Sequence, residues 1–313
     1  MLIALRDAFA GNGELTERQG AVVLFASGTV FSLTAISLAG VEDASDFQFL
    51  TYRGASTALA MLVLIVARRG GRPVSFAGVT RTVWLAGATL AVTSMLYILA
   101  LSRTTAATTV FLLAAAPIFA AVIGWLVLRE RVERSTIVAM SVTAIGVTIT
   151  VGAGLDVGSV TGLLFAAGIP VTVGLYSVLM RSVSGVDPVV PALIAGSLLA
   201  LGSAVVSIAT DGLAVSPRDA VLACVSGGFA LGVGLPLFNL GHRSVAAARV
   251  PLLLMSEVVL APIWVWIWPG QAPSVATLIG GAIILGAVAW LVLVSHDAPD
   301  TAPSSRVPAI PLD

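Results

Sequence analysis

The sequence contains no lysine and few charged residues of any kind, although it is 313 residues long. Charged side chains make up 10% of the chain, whereas hydrophobic residues make up 58%. A soluble domain of this length needs more charge, because water must solvate its surface. The sixteen basic residues, all arginine, are balanced by sixteen acidic residues. The resulting net charge of zero argues against nucleic acid as a partner.

Cysteine and histidine are also scarce. A single cysteine, Cys224, excludes an internal disulfide bond. The two histidines, His242 and His296, are too few to build a cluster of metal ligands. The sequence contains no phosphate-binding loop, dinucleotide fingerprint or nucleophile elbow, and its apolar segments hold no Ser/His pair or acidic dyad. We therefore expect no bound metal, no cofactor and no enzymatic activity.

What the chain does contain is a series of long apolar segments. Each is long enough to cross about 30 Å of hydrocarbon as an α-helix. The ten segments span residues 20–40, 47–67, 82–101, 105–128, 135–152, 159–180, 188–209, 219–240, 245–268 and 275–295. A transmembrane β-barrel would instead show shorter segments of alternating polarity. The expected fold class is an all-α polytopic membrane protein with ten transmembrane helices.

Arginine is distributed unevenly between the two ends of these helices. If the N-terminus is cytoplasmic, twelve arginines fall in inner segments and only Arg103 and Arg218 fall in outer loops. The remaining two lie inside predicted helices. This bias predicts a protein of the inner cell membrane with both termini in the cytoplasm. We expect residues 1–19 to form a cytoplasmic segment and residues 296–313, which are rich in Pro, Ser and Asp, to form a disordered cytoplasmic tail.

The two halves of the sequence resemble each other. A shift of about 140 residues aligns the pentapeptides LFASG and LFAAG, and it aligns the arginine-rich LRERVER at 128–134 with PGQAPSV at 269–275. Five helices per half is an odd number, so the second half enters the membrane upside down. Corresponding loops then face opposite sides, and the outer one should lose its arginines. We therefore predict two inverted five-helix repeats, residues 20–152 and 159–295, an arrangement typical of transporters.

Several segments resemble a known family. Residues 104–132, which end in LRERV, resemble the fourth helix of the ten-helix EamA-like branch of the drug/metabolite transporter superfamily. Residues 244–267 resemble the ninth helix of that family, although no proline follows Glu257 directly, and Arg53 resembles a frequent arginine of the second helix. The resemblance covers about residues 20–295. It implies alternating-access transport of small organic solutes, commonly as export, without a cofactor or ATP hydrolysis.

Glu257 is the only acidic residue deep within a predicted helix. A carboxylate in hydrocarbon costs at least about 2.5–3.5 kcal/mol, so its presence requires an explanation. One hypothesis is that Glu257 binds a proton or the ammonium group of a substrate. The alternative is a structural ion pair or hydrogen bond. Residue counting along the helices places Arg53 at a similar depth, which makes Arg53 the candidate partner.

Other candidate residues each have a functional and a structural interpretation. Arg249 either extends to the membrane interface or contacts a substrate carboxylate at an inner gate. Glu130 is either a solvated loop charge or part of a cytoplasmic gate, and Pro117 and Pro262 are candidates for helix kinks. Intramembrane Ser and Thr usually bond to their own helix, so polar residues are weaker candidates. The further candidates for the lining of a substrate cavity are Asn239, Tyr97, Tyr176, Trp84, Thr108 and Ser256.

The leading functional hypothesis is a secondary active transporter that exports small organic metabolites, such as amino acids or related solutes. Its expected partners are a small-molecule substrate and the lipid bilayer. Two further partners are possible from the sequence: protons as the coupling ion, and a second copy of the chain in a homodimer. The alternatives are broad-specificity drug efflux and a non-transporting membrane scaffold or receptor. Transport is favoured over a scaffold because the hydrophilic segments are too short to form a partner domain.

The arginine bias predicts which loops face outward. Single cysteines placed at Asp43, Asp156 or Asp211 in a Cys224→Ala background should react with a membrane-impermeant maleimide added to intact cells. A cysteine at Arg69 should react only after the membrane is permeabilised, because this arginine belongs to an inner loop. Labelling of the Arg69 position in intact cells would contradict the orientation.

Overall fold

The computed structural model describes residues 15–68, 79–103, 109, 112–113, 115–129, 132–152, 159–182, 189–246, 249–267 and 275–294. Within these ranges the protein is helical and forms no strand. The predicted tail, residues 296–313, and most of the predicted N-terminal segment lie outside the described residues.

The described helices follow one another with short connections. The first half of the chain contains α1 (Glu17–Phe31), α2 (Thr34–Ala39), α3 (Asp46–Arg68), α4 (Arg81–Leu101), α5 (Ala116–Leu128) and α6 (Arg134–Gly152). The second half contains α7 (Val160–Ser182), α8 (Val190–Thr210), α9 (Pro217–Cys224), a π-helical turn (Val225–Leu231), α10 (Gly232–Gly241), α11 (Val250–Leu253), α12 (Ser256–Ile267) and α13 (Val275–Val294).

Five helical segments of the described chain are long and apolar enough to cross a membrane. They are α3, α4, α7, α8 and the continuous run from α9 through the π-helical turn to α10. Each contains 21 to 25 residues, which matches the thickness of the hydrocarbon core. The fold is therefore that of an all-helical, multi-pass membrane protein.

The protein surface carries many large apolar side chains. On α8, for example, Leu201, Val205 and Ile208 are each more than 60% exposed, and on α3 Leu59 is 61% exposed. Contiguous apolar surface of this kind would drive aggregation in water. It is compatible with hydrocarbon, which supports the membrane location indicated by helix length.

The helices predicted at 20–40 and 245–268 are interrupted in the structure. The segment predicted at 20–40 breaks at residues 32–33, between α1 and α2, and the segment predicted at 245–268 breaks at residues 254–255, between α11 and α12. The indole Nε1 of Trp264 donates a hydrogen bond to Ser32 Oγ at 2.7 Å, so α12 contacts the first break directly. Broken helices are tolerated in membranes only where neighbouring protein or a cavity satisfies the freed backbone groups.

The two prolines proposed as helix kinks occupy different positions in their helices. Pro117 lies in the first turn of α5, which begins at Ala116 within the segment predicted as a single helix at 105–128. Pro262 falls within α12, whereas the break in that part of the chain precedes Glu257. Two other prolines, Pro170 in α7 and Pro236 in α10, lie inside helices and remove a backbone donor there.

Helices α3 and α8 cross closely because glycine lies on both sides of the contact. A Cβ atom on Gly54 would lie 2.5 Å from the backbone nitrogen of Ala200, and one on Gly196 would lie 2.7 Å from that of Ala58. These obstacles are main-chain atoms, which cannot rotate away. Small residues at such crossings let backbones approach and pack. The crossing also fixes the position of Arg53, which immediately precedes Gly54.

The crossing predicts opposite effects for two alanine substitutions on α8. Gly196→Ala should lower the free energy of unfolding by about 1–3 kcal/mol, because the new methyl group overpacks the contact. Gly202→Ala is the control, since a Cβ there would meet nothing within 4 Å. It should leave stability unchanged or raise it by up to about 1 kcal/mol. Thermal unfolding of both variants in detergent measures the difference, and equal midpoints would contradict the proposed close contact.

Candidate substrate cavity

A cavity lies among the helices and is lined by both halves of the chain. Its volume is about 140 Å³. Its described walls are mainly apolar, and the ionisable side chains in them are Arg53 and Tyr97 from the first half and Tyr176 and Glu257 from the second. An apolar space with a few convergent polar groups is the usual form of a small-molecule site.

Arg53 supplies the positive charge of the cavity. It lies on α3 and is only 4% exposed. Its Nε donates to Ser94 Oγ of α4 at 3.3 Å, and its Nη1 donates to Ser226 Oγ of the π-helical turn. No ion pair within 4.0 Å joins Arg53 to Glu257, both of which the structure describes. The guanidinium is therefore held by two neutral hydroxyl groups.

Glu257 supplies the negative charge. It lies in the first turn of α12, lines the same cavity and is partly exposed to it. Tyr97 and Arg53, which come from the first half of the chain, line the same cavity. The structure thus brings Arg53, Tyr97 and Glu257 together around one space. The direct pair between Arg53 and Glu257 that their similar depth suggested is not formed.

Aromatic rings form one wall of the cavity. Tyr176 stacks on Phe238 with ring centroids 5.6 Å apart, and Phe31 meets Phe238 edge-on at 5.8 Å. The Tyr176 hydroxyl donates to the side-chain oxygen of Asn239, which is fully buried. Asn239 therefore positions Tyr176 from behind and is not part of the lining. Phe31 had no signal in the sequence, because nothing distinguishes it from an ordinary apolar residue of a membrane helix.

Four other sequence candidates take no described part in the lining. Ser256 is fully buried and donates to the carbonyl oxygen of Phe25 at 3.1 Å, which attaches α12 to α1. Trp84 is 50% exposed on the protein surface. Thr108 and Glu130 lie outside the described residues.

Arg249 lies outside the cavity, at the N-terminal end of α11, where it is 3% exposed. Its Nη1 lies 2.5 Å from Glu17, and its Nη2 forms a second ion pair with Glu133. Its Nε donates to Thr136 Oγ1 and its Nη2 to Ser135 Oγ, both at 3.0 Å. The buried side chain is thus bound by acidic and hydroxyl groups. It joins the beginnings of α1, α6 and α11, and the two acids that bind it were not singled out in the sequence.

The burial of Arg249 predicts a larger effect on stability than that of an exposed arginine. Arg249→Gln should lower the free energy of unfolding by about 1–3 kcal/mol. The loss should be smaller than for a fully buried ion pair, because water can solvate the two acidic partners once the arginine is removed. The control is Arg218→Gln, whose pair with Glu42 is more than half exposed on both sides. It should cost less than about 1 kcal/mol. Denaturant unfolding in detergent compares the two, and equal losses would contradict a buried network at Arg249.

Comparisons with known proteins agree with this architecture. Residues 18–152 match the model of the EamA-like transporter family. One of 29 matching chains of solved structures, described as "Crystal structure of protein", superposes with a TM-score of 0.74. The superposition covers 88% of this chain and 98% of that chain at 19% sequence identity, so it shows a shared fold alone. No curated protein matches the sequence.

Proposed function

We propose that this chain, whose residues 18–152 belong to the EamA-like transporter family of the drug/metabolite transporter superfamily, is a secondary active exporter of small zwitterionic metabolites. One observation carries the proposal. The cation of Arg53 and the carboxylate of Glu257 line a single apolar cavity without forming a direct ion pair. Two opposite charges kept apart in this way can each be neutralised by a ligand that carries both signs.

The substrate class follows from the groups in the cavity. A substrate carboxylate would accept hydrogen bonds from Arg53, whose planar guanidinium matches that group. A substrate ammonium group would bind Glu257, and an apolar side chain would contact the wall formed by Phe31, Phe238 and Tyr176. Amino acids and related solutes have this combination of groups.

The proposed architecture is two inverted five-helix repeats, residues 20–152 and 159–295. The pattern of helix packing supports it. In such an arrangement α3 corresponds to α8 and α6 to α13, and each of these pairs packs together. The contact between α4 and α7 likewise corresponds to the contact between α10 and α1. The contact between α5 and α7 corresponds to the contact between α12 and α1. We place both termini in the cytoplasm and the protein in the inner membrane, from the arginine bias.

The Arg249 network is the proposed cytoplasmic gate. With the N-terminus inside the cell, Arg249, Glu17 and Glu133 lie at the inner end of the helices and join three parts of the chain. At the opposite end, the Asp219 carboxylate accepts hydrogen bonds from the backbone N–H groups of residues 42–44 at 3.0–3.2 Å. Alternating access requires that contacts at one end separate while those at the other remain.

Glu257 is also the proposed site of coupling to protons. A proton and a substrate ammonium group would compete for the same carboxylate. Export of the substrate could therefore be coupled to proton entry without a second acidic residue in the cavity.

The apolar aromatic wall favours one alternative, efflux of amphipathic drugs. An amphipathic organic cation would use Glu257 and the aromatic rings but would have no group for Arg53. The two functions therefore differ in their dependence on the arginine.

Transport into proteoliposomes tests these functions. L-leucine counterflow should fall at least about tenfold in Arg53→Gln and in Glu257→Gln, because each removes a charge-assisted contact to the substrate. Counterflow of 3-methylbutylamine, which lacks the carboxylate, should fall only in Glu257→Gln. Arg218→Gln is the control and should transport both compounds as the wild type does.

Several results would decide against the proposal. Wild-type leucine counterflow and an unchanged pH dependence in a folded Glu257→Gln protein would remove the role of the carboxylate. Transport of amphipathic cations without leucine would favour drug efflux. An absence of flux for every compound would favour a scaffold or receptor.

A further inference from the structure

We infer that the π-helical turn Val225–Leu231 determines substrate specificity, because its Ser226 orients Arg53 toward the anionic group of the substrate. This inference rests on the function proposed above. It assigns a role to a segment that contains no ionisable residue and whose sequence, VSGGFAL, carries no motif.

The hydrogen bonds of Arg53 leave part of its guanidinium available. The group has five N–H donors, of which one on Nε is bound by Ser94 and one on Nη1 by Ser226. Among the described residues no hydrogen bond involves Nη2. Ser226 is fully buried, so its hydroxyl fixes the guanidinium within the protein while the remaining donors are left for the cavity that Arg53 lines.

The backbone at Arg53 is confined by two glycine contacts. A Cβ atom on Gly227 would lie 2.0 Å from the carbonyl oxygen of Arg53 and 2.3 Å from Ser56 Oγ. On α8, the backbone nitrogen of Ala200 would lie 2.5 Å from a Cβ atom on Gly54. Residue 53 is thus held between α8 and the π-helical turn, and Ser226 adds a third contact at the end of its side chain.

The π-helical geometry explains how this turn supplies both contacts. In a π-helix each turn contains more residues than in an α-helix, so the residues of the turn face different directions from those of an uninterrupted helix. Short π-helical segments within α-helices occur frequently at functional sites. Here the segment directs the adjacent residues Ser226 and Gly227 toward the same residue of α3.

The chemistry of the partners indicates a ligand and not only a structural role. Hydroxyl groups accept hydrogen bonds from a guanidinium without neutralising its charge. Arg249, in contrast, is neutralised by two carboxylates. The charge of Arg53 therefore remains available for an anion, and the ligand group that matches its planar N–H donors is a carboxylate.

Kinetics in proteoliposomes tests the inference with two probes. Ser226→Ala should raise the KM for L-leucine by about tenfold, because a misoriented guanidinium loses part of its contact with the carboxylate. The KM for 3-methylbutylamine should not change, since this amine has no carboxylate. Ser226→Thr keeps a hydroxyl group and should restore most of the affinity for leucine. The matched control is Ser177→Ala, which removes another buried hydroxyl whose bond among the described residues is to the Val173 carbonyl of its own helix.

The outcomes separate this inference from the proposed function. If the wild type transports leucine but Ser226→Ala changes both KM values equally, or neither, the positioning role is wrong and the proposed function stands. If the wild type does not transport leucine, the proposed function fails and the inference fails with it. If Ser226→Ala does not fold, Ser226→Cys has nearly the same shape but a weak hydrogen-bonding group, and it should show the same selective rise in KM for leucine.

Discussion

A charged side chain within hydrocarbon must be surrounded by protein, and this requirement at Arg53 organises the centre of the molecule. The guanidinium needs hydrogen-bond acceptors that its own helix does not provide, so two neighbouring elements supply the hydroxyls of Ser94 and Ser226. The π-helical turn approaches Arg53 closely because Gly227 has no side chain, and Gly54 permits a second close backbone contact with α8. The close contacts at glycine and the π-helical turn therefore serve to surround one buried charge with protein.

Two buried arginines in this protein are satisfied in different ways. Arg249 bonds to two carboxylates and two hydroxyls. The carboxylates neutralise its positive charge, so Arg249 would not attract an anionic ligand. Among the described residues Arg53 bonds only to hydroxyl groups, and Glu257 lines the same cavity without an ion pair to it. The first arrangement suits a contact between helices, and the second suits a binding site. Residue type and burial alone do not distinguish the two, because the distinction lies in the charge of the partners.

Hydropathy was sufficient to predict an all-helical membrane fold, and the cost of charge selected Arg53 and Glu257, which line one cavity with Tyr97 and Tyr176. The positions where helices break were not predictable, because the residues at 32–33 and 254–255 include neither glycine nor proline. Such breaks depend on which neighbouring groups satisfy the freed backbone. The serines that bond to another helix were also not predictable from the sequence. Most serines in helices bond to the backbone of their own helix, and no sequence pattern distinguishes the exceptions.

The break before α12 explains how Glu257 is tolerated without a direct ion pair. It places the carboxylate in the first turn of a twelve-residue helix, where the helix dipole favours negative charge by about 0.3–1 kcal/mol, and up to about 2 kcal/mol when partly buried. This is less than the roughly 2.5–3.5 kcal/mol that a charge costs at the centre of a membrane helix. The rest of the stabilisation comes from the surroundings of the carboxylate, which lines a cavity shared with Arg53. An ammonium group of a ligand in that cavity would pair the charge of Glu257, so the site favours a ligand that carries a cation.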